Sequence, residues 1–274
     1  MLLREVEYVR PASIEDAVRE LAADDGARAL AGGQTLINVM KARAASPDVL
    51  VDLADLDELR GIELGADGTL ELGPMVTYTQ LMESAEARAR PILGEVSAQI
   101  ADVQVRNRGT LGGNVCSNDP TNHFPPLLVA LGASVTIRGA DGERTVSAAD
   151  FFLGVYMTAV SPGELLTKIT IPSGAGAGDA FETVPIGRDG TCIVSAAASV
   201  DGNGTRVAIG CVDAVPVLVE PSSNDADAVK EAVRGAQLDP PSDVHASADY
   251  RRHLTRELVR RAVTAAIARG GGSA

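Results

Sequence analysis

"ARALAGGQTLINVMKAR", residues 27–43, decides how the chain begins. Ala27–Leu30 reads as a short buried strand, and a helical pattern runs from about Thr35 to Arg43. Between them stand Ala31, Gly32 and Gly33. Adjacent glycines at such a junction permit positive φ and let another group approach the main chain. The amides that open a helix attract phosphate, through orphan N–H groups and the helix dipole. The competing reading is a tight strand–helix turn with no ligand. The stretch matches neither G-x-G-x-x-G nor the P-loop, so an ordinary Rossmann or Walker site is excluded.

The flanking residues supply a small α/β unit over the first 55 positions. Upstream, Ser13 and Asp16 make an S-x-x-D capping pattern for a helix over 13–25. Ile14, Ala17, Val18 and Leu21 give that helix one apolar stripe. Downstream, "DVLVDLADL" (48–56) reads as a second strand and turn.

Residues 61–84 follow, with Asp67-Gly68 as a hairpin turn and Thr77 and Gln80 as a capping box. Residues 91–101 predict a helix. "QVRNRGTLGGNVCSNDPTNHFPP" (104–126) is rich in Gly, Asn and Pro. It reads as a long loop of the kind that often carries function. Residues 127–152 predict helix, strand, an Asp141-Gly142 turn and strand, and "ELLTKITIP" (164–172) a further strand. "SGAGAGDA" (173–180) reads as a linker. Its G-x-G-x-G string lacks the strand–turn–helix that a dinucleotide fingerprint needs. Beyond it, antiparallel strands turn at Asp201-Gly202-Asn203-Gly204, and helices are predicted over 225–235 and 247–268. The last is expected to place Tyr250, Leu254, Leu258 and Ala262 on one face.

Composition narrows the function classes. Aromatics are 3% of the 274 residues and Trp is absent, so aliphatic side chains must fill the core. The net charge of −13 argues against nucleic-acid binding, which needs Lys and Arg to replace counterions. No run approaches the ~18 apolar residues of a membrane helix. The first residues lack an apolar signal core, and a cytoplasmic location is expected. Cys116, Cys192 and Cys211 form no C-x-x-C pair, so neither a disulfide framework nor a metal site within this chain is expected.

A second glycine-rich stretch, "RNRGTLGGN" (106–114), sets Gly109, Gly112 and Gly113 beside Thr110 and Asn114. Its successive amides could form an anion nest, or the stretch could be a glycine-rich surface loop. Two Gly-Gly turns, each rimmed by Thr and an amide side chain, suit a diphosphate held between two subdomains. His123, in "NDPTNHFPP", reads as a hydrogen-bonding group, and His245 and His253 as surface residues. Cys116 reads as a small buried residue near the second stretch. No H-E-x-x-H, G-x-S-x-G or paired-carboxylate motif occurs. A bound cofactor would therefore carry any redox or transfer reaction.

"LAGGQTLINVMKARAASPDVLVDLADLDELRGI", "IADVQVRNRGTLGGNV", "GELLTKITIP" and "DVHASADYRRHLTRELVRRAV" together resemble the FAD-binding medium subunit of the molybdenum hydroxylases, the carbon monoxide dehydrogenase and xanthine dehydrogenase family. The resemblance covers nearly the whole chain in order, and it implies an α+β protein. Residues 1–175 would form a PCMH-type FAD-binding domain of two subdomains, about 1–56 and 57–175. Residues 178–274 would form the flavoprotein C-terminal domain, a three-stranded sheet with helices.

The family's first glycine motif falls on Ala31, Gly32, Gly33, Gln34, Thr35 and Leu36. Its second falls on Thr110, Leu111, Gly112, Gly113 and Asn114. Both lie against FAD in the family. Leu166 matches a position near the flavin ring. His123 stands where the family often has an Asp that contacts the flavin. "VPIGRDGTCIVS" (184–195) resembles a segment that approaches the flavin from the other side, which makes Arg188 a candidate.

The resemblance further implies an oxidoreductase subunit with no catalytic residue of its own. A small subunit would carry two [2Fe–2S] clusters and a large subunit molybdopterin, in a heterotrimer or a dimer of heterotrimers. FAD in this chain would pass electrons to an external acceptor. The alternatives are a stand-alone flavin-dependent oxidase or reductase, and a non-catalytic scaffold subunit.

Overall fold

Val49–Asp52 is buried at every position, the continuous burial of a strand covered on both faces. It is the centre of a parallel three-stranded sheet, with Glu7–Val9 on one side and Ala27–Leu30 on the other. The computed structural model, which describes residues 2–187 and 191–270, builds the rest outward from this unit. The helix Ile14–Ala23 starts where the sequence places it. Ser13 Oγ accepts from the Asp16 amide at 3.1 Å, and Ile14, Ala17, Val18 and Leu21 are buried.

A second, antiparallel sheet runs Ile62–Leu64, Leu70–Leu72, Leu165–Ile171, Ser134–Gly139, Gly142–Ser147. The turns at Gly68 (φ +85°) and Gly142 (φ +122°) form as expected. So does the capping box, in which the Thr77 amide donates to Gln80 Oε1 at 2.8 Å and the Gln80 amide to Thr77 Oγ1 at 3.2 Å. Leu165–Ile171 returns late in sequence to the middle of this sheet, which places Leu165 and Leu166 next to the N-terminal unit. Met75 and Leu165 complete the core of that unit.

The stretch 104–126 is not the long loop its composition suggests. It holds the short helices Val103–Arg108 and Leu111–Ser117 and leads into Phe124–Ala130. Glycine disfavours helix by about 1 kcal/mol per residue, and here caps and packing outweigh it. Asp102 Oδ1 accepts from the Val105 amide at 2.8 Å, and Thr110 Oγ1 from the Gly113 amide at 3.1 Å. Asn118, in the left-handed region at φ +39°, ends the middle helix.

The third sheet is antiparallel: Gly178–Ile186, Thr191–Asp201, Gly204–Gly210 and a short edge strand, Val217–Val219, beyond the three that the resemblance implies. The helix Ala248–Gly270 covers it. Its buried face is Arg251, Thr255, Leu258, Val259, Ala262, Val263 and Ala266, whereas Tyr250 is 47% exposed. Of the expected stripe Leu258 and Ala262 are buried and Leu254 packs against the same core, while Tyr250 turns outward. The cause is Arg251, which turns inward to donate to the carbonyls of Ile193 and Cys211 and to pair with Asp243.

Candidate functional site

The two glycine turns meet each other. A Cβ built on Gly32 would lie 2.0 Å from the Arg108 carbonyl oxygen and 3.0 Å from Gly109 Cα. Gly32 is therefore glycine because the second turn packs on its backbone. Gly33 has φ +72° and swings the chain into the helix Leu36–Lys41. On the other side, a Cβ on Gly113 would stand 3.9 Å from Ala31 Cβ.

The two turns differ in what they can donate. Among the described residues no protein acceptor takes the amides of Gly33, Gln34, Thr35 and Leu36. Thr35 sits at the N-cap, exposed, and makes no side-chain cap. Gln34 folds back, with Nε2 donating to Gly32 O at 3.0 Å.

In the second turn the four amides of residues 111–114 are committed. Leu111 N donates to Val76 O (2.9 Å), Gly112 N to Pro74 O (2.8 Å), Gly113 N to Thr110 Oγ1 (3.1 Å) and Asn114 N to Thr110 O (3.0 Å). The anion nest expected from "GTLGGN" is not there, because helix capping and the neighbouring Pro74–Val76 segment use its donors. Gly112 is glycine for packing, since its Cβ would meet Pro74 Cβ at 2.4 Å. Leu111 is a core residue. The second turn offers a bare surface at Gly113, which is exposed, and a buried acceptor. Asn114 Oδ1 has no hydrogen-bond partner among the described residues. An unpaired buried acceptor costs about 1–3 kcal/mol, so it fits a ligand that brings a donor.

A cavity of about 370 Å³ opens between the first two sheets, beneath the meeting point of the turns. Ala31, Leu53, Met75, Gly113, Cys116 and Leu166 are among its lining residues. Its size lies within the range of small-molecule sites. Burial pushes the Cys116 thiol up to about 12, so at neutral pH it is an uncharged part of the wall. Iodoacetamide at neutral pH should leave Cys116 unlabelled in the native protein, as peptide mass spectrometry would show. Labelling as fast as in the unfolded chain would contradict this placement.

The sequence-derived candidates divide accordingly. Ala31, Gly112, Gly113 and Leu166 line the cavity, and Gly32–Leu36 continue from Ala31. Thr110 acts as the cap of the second helix. His123 lies outside the cavity lining. It is 3% exposed and stacks on Phe181 at 5.2 Å between ring centroids. Its Nδ1 is 3.4 Å from Cys192 Sγ, so the hydrogen-bonding role read for it is met by a thiol. Arg188 lies outside the described residues. Met75 and Val160–Leu165 were not legible as site residues. They are apolar or turn residues brought in from separate segments, without a motif of their own.

Residues 4–174 match the family described as "FAD binding domain in molybdopterin dehydrogenase". The chain is 38% identical to the nicotine 6-hydroxylase medium subunit of Paenarthrobacter nicotinovorans, over 98% of this chain and all of that one. It is 39% identical to the carbon monoxide dehydrogenase medium chain of Afipia carboxidovorans, over 96% and 97% of the two chains. Among solved structures it superposes on the reconstituted CO dehydrogenase from Oligotropha carboxidovorans. The TM-score is 0.92 at 37% identity, covering 98% of this chain and all of that chain. With the α+β fold and the glycine turns in family order, the chain belongs to the FAD-binding medium subunits of the molybdenum hydroxylases, an oxidoreductase family.

Proposed function

We propose that this chain holds FAD and passes electrons from the [2Fe–2S] clusters of a partner subunit to an external acceptor. The observation that carries the cofactor placement is the row of four uncommitted amides at Gly33–Leu36, next to an apolar cavity. These amides, with the Thr35 hydroxyl, would hold the diphosphate at a helix start, where backbone N–H groups and the dipole favour negative charge. Gly113 and Ala31 would leave room for the cofactor, Asn114 Oδ1 would accept from one of its hydroxyl or amino groups, and Leu166 and Met75 would give the apolar wall. His123 is left out of this set, because Cys192 and Phe181 occupy its ring.

When bound, FAD supplies a carrier able to exchange electrons with one-electron and two-electron partners. The chain's own residues bind it, orient it and exclude water, and no general acid, base or nucleophile is assigned. On this reading residues 1–175 hold the cofactor, and residues 178–274 form a separate domain packed alongside. That the relatives are medium subunits supports a complex with a small iron–sulfur subunit and a large molybdopterin subunit. A heterotrimer, or a dimer of heterotrimers, in the cytoplasm is the assembly we infer. No described helix is long and apolar enough to cross a membrane.

The purified full-length chain should bind FAD yet oxidise no organic substrate alone. Mixing it with reduced iron–sulfur subunit should bleach the flavin absorbance in a stopped-flow trace. Substrate turnover by the isolated chain would favour a stand-alone oxidase, and failure to take up FAD a scaffold.

A further inference from the structure

"FFLGVYMTAVSPG", residues 151–163, holds no charged residue, in a chain where 22% of residues are charged. It includes a two-stranded hairpin, Phe152–Gly154 with Met157–Thr158, that stands apart from the three larger sheets. Phe152 is buried, while Leu153, Val155, Tyr156 and Met157 turn outward and are 59%, 46%, 62% and 61% exposed. Exposed apolar residues scattered singly are ordinary, whereas a cluster of them marks a contact surface. Four of the twelve exposed large apolar side chains among the described residues fall within these five positions.

The tip is held rigid from below. Asn118, which is buried, donates from Nδ2 to the Gly154 carbonyl at 2.7 Å and to the Met157 carbonyl at 3.2 Å. The Tyr156 amide donates to the Asn118 carbonyl at 3.1 Å. Tyr156 has φ +57°, where a bulky side chain is an outlier and glycine would fit at less cost. The turn itself therefore does not call for tyrosine. Its hydroxyl donates to Asp119 Oδ2 at 3.0 Å, which fixes the exposed ring in one place. A surface ordered before contact loses less entropy when it is covered.

Composition, charge and place together select the occupant. Interface centres are depleted in charge and enriched in Tyr and Met, as this tip is. A second copy of the chain suits it poorly, because each copy carries a net charge of −13 and the Asp119 carboxylate sits at the tip. The place suits an electron donor. Asn118 directly follows the helix Leu111–Ser117, which starts at the second glycine turn and spans seven residues. Seven residues of helix are about 10 Å long. Cys116 on that helix lines the cavity, and so do residues 160–166, which follow the hairpin. A protein seated on the tip lies close to the candidate flavin site, and electron tunnelling weakens steeply with separation.

We propose, resting on the reading that this chain takes electrons from [2Fe–2S] clusters, that the tip at 153–157 is the docking knob for the iron–sulfur subunit. That subunit would receive it in an uncharged apolar recess, with a hydrogen-bond donor or a cation at the rim to meet Asp119.

The test uses the purified full-length chain with FAD and the purified small [2Fe–2S] subunit. Titration calorimetry gives their Kd, and a stopped-flow trace follows flavin reduction by the reduced small subunit. Flavin content and Tm are measured on each chain alone. Leu153→Ser/Met157→Ser should raise Kd at least about 30-fold, as when hot-spot contacts are removed. Its flavin content and Tm should stay at wild-type values. Tyr156→Gly removes the ring and suits the positive φ, so it should weaken docking likewise with no fall in Tm. Wild-type Kd in both variants, with the wild-type flavin reduced as expected, would overturn the docking assignment and leave the electron-transfer reading standing. If the wild-type chain holds FAD but is neither bound nor reduced by the small subunit, that reading fails and the assignment with it. A fall in Tm in both variants would mark the tip as structural. Sedimentation showing wild-type self-association that both variants abolish would give the tip to a second copy. Either result overturns the proposal.

Discussion

Gly32→Val should purify with less than about a tenth of the wild-type flavin. Its Cβ would sit 2.0 Å from Arg108 O and 2.8 Å from Arg108 C, so the obstacle is backbone that no rotamer change can move. Relief requires the two glycine turns to separate, which shifts the uncommitted amides of Gly33–Leu36 away from Gly113. An affinity loss of at least about 100-fold corresponds to about 2.7 kcal/mol. The same overpacking should cost about 3 kcal/mol of stability, the upper end for such insertions. For a chain of this size that is roughly a 6–12 °C fall in Tm.

A companion variant separates binding from folding. Gly113→Val puts its Cβ 2.9 Å from Thr110 Oγ1 and 3.9 Å from Ala31 Cβ, and Gly113 is exposed. It should cost only about 1 kcal/mol of stability and still lose flavin. The checks are flavin-to-protein absorbance and thermal melting of each purified variant. Full flavin content in both variants would sink the placement. Loss in Gly32→Val alone would demote the second turn to a support for the first.

How much of this was legible in the sequence depends on the kind of signal. Local signals read correctly, because they act within one turn of chain. Ser13 with Asp16, Thr77 with Gln80, and the Gly68 and Gly142 turns all formed where their residue types put them. Long-range causes did not read. Two of the donors of residues 111–114, Leu111 N and Gly112 N, are used by Val76 and Pro74, more than thirty positions earlier, and the other two by Thr110. Nothing in "GTLGGN" announces those partners, so a committed helix start looked like an open nest. The inward turn of Arg251 depends likewise on the Ile193 and Cys211 carbonyls, and it took the inward place that periodicity alone assigned to Tyr250. The family likeness located both glycine turns but did not separate their tasks. That division rests on hydrogen-bond accounting.

Arg90→Met should lose about 3–5 kcal/mol of stability, as expected when one member of a buried ion pair is removed. Arg90 and Asp179 side chains are 4% and 8% exposed. Nη2 donates to Asp179 Oδ1 at 2.9 Å and approaches Ser199 Oγ at 3.4 Å, while Nη1 donates to Pro172 O at 3.2 Å. Nε lies 2.8 Å from Oδ2 but out of line for a hydrogen bond, so that contact is ionic only. Gly174 packs so closely that a Cβ there would lie 2.2 Å from Arg90 Cδ. One guanidinium therefore ties the segment before the helix Ile92–Ala98 to the linker and to the third sheet. In the single variant the Asp179 carboxylate stays buried without its counter-charge, and that desolvation is most of the cost. Asp179→Leu alone should cost a similar amount, for the mirrored reason. The double variant Arg90→Met/Asp179→Leu removes both charges and should recover most of the loss. Urea unfolding of the four proteins gives the coupling energy directly. Additive losses would mean that the pair does not act as a unit. The third sheet would then be held to the rest of the chain by Phe181, Ala197 and Ala208, which share the core of the second sheet.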